Sequence, residues 1–150
     1  MKVINIGIMA HIDAGKTSLT ENFLFKSEAI NVLGKVDSKN TTMDNLKMER
    51  SRGITIREST TSFIWNGVKI NIVDTPGHFD FFSEVIKSLY VVDCVILIIS
   101  AVEGIQTQTD RIIRLLTDMG IPYITFINKI DRVGSDYSKI FEEMRYKYKT

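Results

Sequence analysis

The chain has 150 residues, 44% of them hydrophobic, and its 19 basic and 18 acidic side chains leave a formal charge of +1. That length suits one domain around one core, and the near-zero balance excludes a global basic field drawing the molecule onto nucleic acid. A lone cysteine, Cys94, excludes an internal disulfide or a thiolate zinc cluster, and no apolar run reaches the roughly 18 residues of a membrane span.

Met1-Lys2 leads straight into an apolar run at 3–9, so no signal peptide is expected ahead of the fold and the cytoplasm is the expected compartment. Leu19 and Phe23 begin a weak helical pattern after it. Residues 31–56 are polar and show little periodicity; a stretch that long without clear structure reads as a functional lid or as disorder. Residues 60–65, Asn66-Gly67 and 68–73 then read as a hairpin through a type I′ turn. Phe82, Val85, Ile86 and Leu89 recur at helical spacing, as do Ile112, Leu115, Leu116 and Met119. Between and after these helices lie the apolar runs 94–99 and 123–127. Tyr137, Ile140, Phe141, Met144 and Tyr148 close the chain with a last helical pattern.

Runs that are apolar throughout suit strands buried on both faces, as in a parallel sheet under helices. The expected fold is therefore doubly wound α/β, mostly parallel with one antiparallel edge strand and helices on both faces. Cys94 opens one of the runs, so a buried structural thiol is expected.

Four short segments carry the chemistry. Ala10-His11-Ile12-Asp13-Ala14-Gly15-Lys16-Thr17, followed by Ser18, stands between the first strand and the first helix, the context that a phosphate-binding loop requires. Its backbone N–H groups and the helix N-terminus would face the α- and β-phosphates, and Gly15 would let the backbone come close to them. Lys16 would reach the β- and γ-phosphates, and Thr17 would offer its hydroxyl to Mg²⁺. The strict pattern begins with glycine; here that position is Ala10.

Asp74 ends a strand, where its carboxylate can hold Mg²⁺ through water. In Asp74-Thr75-Pro76-Gly77-His78, the N–H of Gly77 is a candidate for the γ-phosphate. Thr55, in Arg52-Gly53-Ile54-Thr55, could bring a hydroxyl to the same ion and order the lid while a triphosphate is bound. Asn128-Lys129-Ile130-Asp131 follows the last apolar run. Asp131 can accept from guanine N1–H and its 2-amino group; adenine lacks both donors, so a buried carboxylate would be left unpaired. Lys129 would lay its methylenes on the purine, and Asn128 would tie this segment to the phosphate loop. In this order the segments point to GTP or GDP with Mg²⁺.

Phosphoryl transfer needs positioning and charge stabilisation more than covalent chemistry. His78 stands where a side chain can orient an attacking water, and Arg52 could act as an arginine finger in cis. Asp13 would either bind a monovalent cation or shape its loop. Ser100-Ala101 resembles a guanine-supporting Ser-Ala element but precedes the base motif instead of following it, so it reads as a strand end.

NIGIMAHIDAGKTSLTE, ERSRGITI, INIVDTPGHFDF and FINKIDR resemble the P-loop, Ras-like G domain of translational GTPases in the elongation factor G group. Within that group, VDSKNTTMDNLKMERSRGITI, TSFIWNGVKINIVDTPGH and LIISAVEGIQTQT are similar to the tetracycline-resistance ribosomal protection proteins. The resemblance covers essentially the whole chain. It implies a GTPase triggered by the ribosome and its RNA, with His78 orienting the water; a monomer with no membrane attachment is expected. It also implies a further strand and helix after Tyr148 and several downstream domains, so the chain is expected to be an N-terminal fragment. An elongation factor G-type translocation GTPase and a non-catalytic guanine-nucleotide-binding module are the alternatives.

Overall fold

A computed structural model describes residues 1–31, 60–74 and 82–149. The strands are β1 (Lys2–Ala10), β2 (Thr60–Trp65), β3 (Val68–Asp74), β4 (Cys94–Ser100) and β5 (Tyr123–Asn128). The helices are α1 (Lys16–Lys26), α2 (Phe82–Leu89), α3 (Thr107–Asp118) and α4 (Tyr137–Tyr148). The strands form one sheet in the order β2-β3-β1-β4-β5, parallel except for the antiparallel edge pair β2–β3. Asn66 and Gly67 carry φ of 47° and 76°, the two left-handed residues a type I′ turn demands between twisted strands.

Helices cover both faces. On one, Leu19 and Leu24 of α1 meet Ile8, Ile72, Ile98 and Phe63. On the other, Val85 and Leu89 of α2, Ile112, Ile113 and Leu116 of α3, and Ile140 and Met144 of α4 close over Val95, Leu97 and Ile99. Both α1 and α3 end in Schellman turns. Ala29 N–H donates to Leu24 O at 2.9 Å after Glu28 (φ 59°), and Ile121 N–H to Leu116 O at 2.9 Å after Gly120 (φ 66°).

Several expectations change. Burial on both faces holds for β4 but not for β5, where Ile124 and Phe126 remain 65% and 41% exposed because α1 does not reach this edge of the sheet. On α4 Ile140 and Met144 are buried and Tyr148 packs half-buried against the core, while Tyr137 and Phe141 face solvent. On α3, Ile113 joins the buried stripe instead of the half-buried Leu115. Cys94 is half-buried rather than buried; that burial, with Asp93 beside it, still pushes the thiol pKa up and away from reactivity. Among the described residues no helix is long and apolar enough to cross a membrane.

Candidate functional site at the carboxyl edge of the sheet

The chain runs from β1 to one side of the sheet as β3 and to the other as β4, so β1 stands at the point where strand order reverses. Ligands of open parallel sheets collect there, beyond the carboxyl ends of the strands. The candidate residues that the structure describes lie along that edge. Ala10 ends β1, Asp74 ends β3, Ser100 ends β4 and Asn128 ends β5, with Ala10 registered on Ile98 and Asn128 on Ser100.

After Ala10 the chain turns tightly, Ala14 N–H donating to His11 O at 3.1 Å. Ala14 is 0% exposed, whereas Ile12 and Asp13 face solvent and Asp13 adopts φ 61°. Gly15 caps α1 at φ 107°, and Lys16, Thr17 and Ser18 form the first helical turn. That turn carries no acidic side chain to compete for an anion.

Asn128 crosses from β5 to this loop and donates its Nδ2–H to Ala14 O at 2.9 Å, as the sequence suggested. The contact adds a second reason for Gly15. A Cβ at that position would lie 2.1 Å from Asn128 Nδ2, so the close approach is made by protein as well as anticipated for phosphate. His11 is half-buried, its Nδ1 3.0 Å from Gln108 Oε1 at the start of α3.

The base motif departs from expectation in one respect. Asp131 is exposed, so the described residues do not themselves supply the dry surroundings invoked for rejecting adenine. Lys129 is half-buried, adopts φ 61°, and its Nζ lies 3.3 Å from Glu103 Oε1. Ile130 is 62% exposed, and its carbonyl accepts from Ser135 Oγ at 2.9 Å. The strand-end reading of Ser100-Ala101 holds: both are buried, and Ser100 Oγ accepts from the N–H groups of Val102 and Glu103.

Glu103 and Gln108, which belong to none of the four segments, stand against Lys129 and His11. The signal was positional, since polar residues between the end of a parallel strand and the next helix fall on the ligand edge. Thr55, Arg52, Thr75, Pro76, Gly77 and His78, and most of the expected lid, lie outside the described residues, as does the side chain of Asp74.

Below the site, α4 is held to the start of α3. Asp110 accepts from Tyr148 Oη at 2.5 Å and pairs with Lys147 and Arg114, each at 3.1 Å. The Tyr148 hydroxyl first, and Lys147 second, hold its carboxyl at a pKa of about 2.

Comparison with known proteins bears on the family and the fold. The family model of the elongation factor Tu GTP binding domain matches residues 1–150. The tetracycline resistance protein TetP of Clostridium perfringens is 56% identical over 144 residues, which are 96% of this chain and 22% of the relative. TetM of Ureaplasma urealyticum is 54% identical over 147 residues, 98% of this chain and 23% of the relative. The chain thus spans under a quarter of the length of these relatives. A crystal structure of a Thermus thermophilus protein superposes with a TM-score of 0.83 at 28% identity, covering 98% of this chain and 22% of that one. The chain belongs to the elongation factor Tu GTP-binding-domain family.

Proposed function

We propose that this domain binds GTP and GDP with Mg²⁺ and is the nucleotide-hydrolysing part of a cytoplasmic, ribosome-dependent GTPase that protects the ribosome from tetracycline. One observation carries the binding reading: Asn128 reaches Ala14 O and so sets the base motif beside the phosphate loop. Backbone N–H groups of Gly15 to Ser18 and the Lys16 ammonium would neutralise the phosphates. Lys129 and Asp131 would take the base, with the bound purine itself shielding the exposed Asp131 from water. The extension to tetracycline rests on TetP and TetM, the similar proteins that carry that name.

Mg²⁺ fits the available donors. Thr17 and Asp74, with Thr55 as the expected third, offer hydroxyl and carboxylate oxygens, the hard ligands this ion takes. When bound, the ion would offset negative charge on the β- and γ-phosphates. His78 is the residue proposed to orient the attacking water.

The test is displacement of a fluorescent GDP analogue in Mg²⁺ by GDP, GTP and ATP, followed by GTP turnover with excess ribosomes. Displacement by both guanine nucleotides but not by ATP, with ribosome-stimulated turnover, is the expected result. Absence of binding at millimolar nucleotide would sink the reading. Binding without stimulated turnover would reduce the domain to a guanine-nucleotide-binding module.

A further inference from the structure

The geometry points to Glu103 as the positioning residue for Lys129, setting the lysine stem where the purine stacks; the assignment rests on the nucleotide-binding reading. Glu103 comes from the β4–α3 connection, 26 residues before Lys129, and places Oε1 3.3 Å from its Nζ. Their side chains are 39% and 25% exposed, so the pair is neither freely solvated nor sealed in the core.

What distinguishes it from an ordinary surface ion pair is the rigidity of its mount. Glu103 sits in a turn closed by Gly104 N–H donating to Ser100 O at 2.9 Å. Ser100 Oγ accepts from the N–H groups of Val102 at 3.3 Å and Glu103 at 3.4 Å. Gln106 Nε2 donates to the Glu103 carbonyl, and Thr109 Oγ1 accepts from Gln106 N–H at 3.3 Å. The same turn is stitched to the base motif, because Ala101 N–H donates to Asn128 O at 2.7 Å. Lys129 meets this anchor from a left-handed backbone (φ 61°), a conformation that non-glycine residues adopt rarely and mostly where the surroundings impose it.

A lysine stem has many rotamers to lose when it is laid on a base. Anchoring its ammonium before the nucleotide arrives lowers the cost of that ordering, which is preorganisation. Because stacking does not read the edge of the purine, the contribution should be the same for any purine; Asp131 remains the group that distinguishes them.

The experiment uses the 150-residue chain with a fluorescent GDP analogue, GDP and IDP in Mg²⁺. Glu103→Gln should weaken GDP and IDP alike, by about two- to fivefold for a half-exposed pair, mainly through faster dissociation. The loss should shrink as salt is raised, and the melting temperature of the nucleotide-free chain should stay put. In a Lys129→Met background the same substitution should have no further effect, whereas a merely structural Glu103 would weaken binding in both backgrounds. Unchanged or tighter binding by Glu103→Gln, or equal losses with and without Lys129, would overturn the assignment while leaving the binding reading intact. Failure of the unsubstituted chain to bind any guanine nucleotide would overturn both.

Discussion

The phosphate loop is closed, with Ala14 fully buried, Gly15 pressed against Asn128, and α1 beginning at once behind it. The base motif is open: Ile130 is 62% exposed, Val133 is fully exposed, and Asp131 faces solvent. The two meet through the hydrogen bond from Asn128 Nδ2–H to Ala14 O. A phosphate is recognised by backbone N–H groups, so its loop needs a fixed main chain. A base is recognised by side chains, so its motif needs fixed rotamers, which come from residues far away in sequence. The first kind of site tolerates little change in backbone; the second fails by degrees as its supports are removed.

The sharpest way to break this contrast is Gly15→Ala. Both the left-handed φ and the clash an added Cβ would make with Asn128 Nδ2 oppose the substitution, so strain of about 1–3 kcal/mol adds to displacement of the amide. Guanine-nucleotide binding should fall by about a hundredfold or more, with a lowered Tm, read by titration and melting. Adding Asn128→Ala should recover part of the Tm loss, because the steric conflict is then gone and only the backbone strain remains. Additive losses would show that the two regions are independent.

Asp131→Ala should act on choice rather than on the phosphate grip. The preference for GDP over ADP should drop by about tenfold or more as guanine loses its acceptor, measured as the ratio of the two dissociation constants. An unchanged ratio would remove Asp131 from base recognition.

Asn128→Ala by itself should weaken binding by about tenfold and cost about 1 kcal/mol of stability, since it removes the hydrogen bond between the two regions. Equal binding in the variant would mean that the packing of β5 on β4 suffices to bring the motifs together.

The smallest effect concerns the support beneath the site. Asp110 has a folded-state pKa of about 2, below the roughly 3.9 of an unfolded aspartate, so its contribution is full above the unfolded value and is lost as pH falls toward the folded one. Lys147 and Arg114 are substantially exposed, and solvent screening limits the contribution to about 1 kcal/mol. Asp110→Asn should lower Tm by a few degrees at pH 7, and the gap should close between about pH 4 and pH 2. A gap that is constant with pH would assign the loss to packing rather than charge.

Much of the architecture can be read along the chain, because strand, loop and turn preferences are local. The apolar runs, the Asn66-Gly67 turn and the placing of the phosphate loop between β1 and α1 depend on neighbours a few residues apart. The order of the nucleotide motifs, and hence the kind of ligand, belongs to the same level. Tertiary structure alone decided what those motifs lean on. It brought Gln108 across 97 residues to His11, placed Glu103 against Lys129, and fixed Ala14 O as the acceptor for the tie from Asn128 that the motif itself suggested. It also left Asp131, Ile124 and Phe126 in contact with solvent. The reason is physical: periodicity records which face of an element prefers the core. Which distant side chain stands opposite a given atom depends on strand order and register, and no short stretch of sequence carries those.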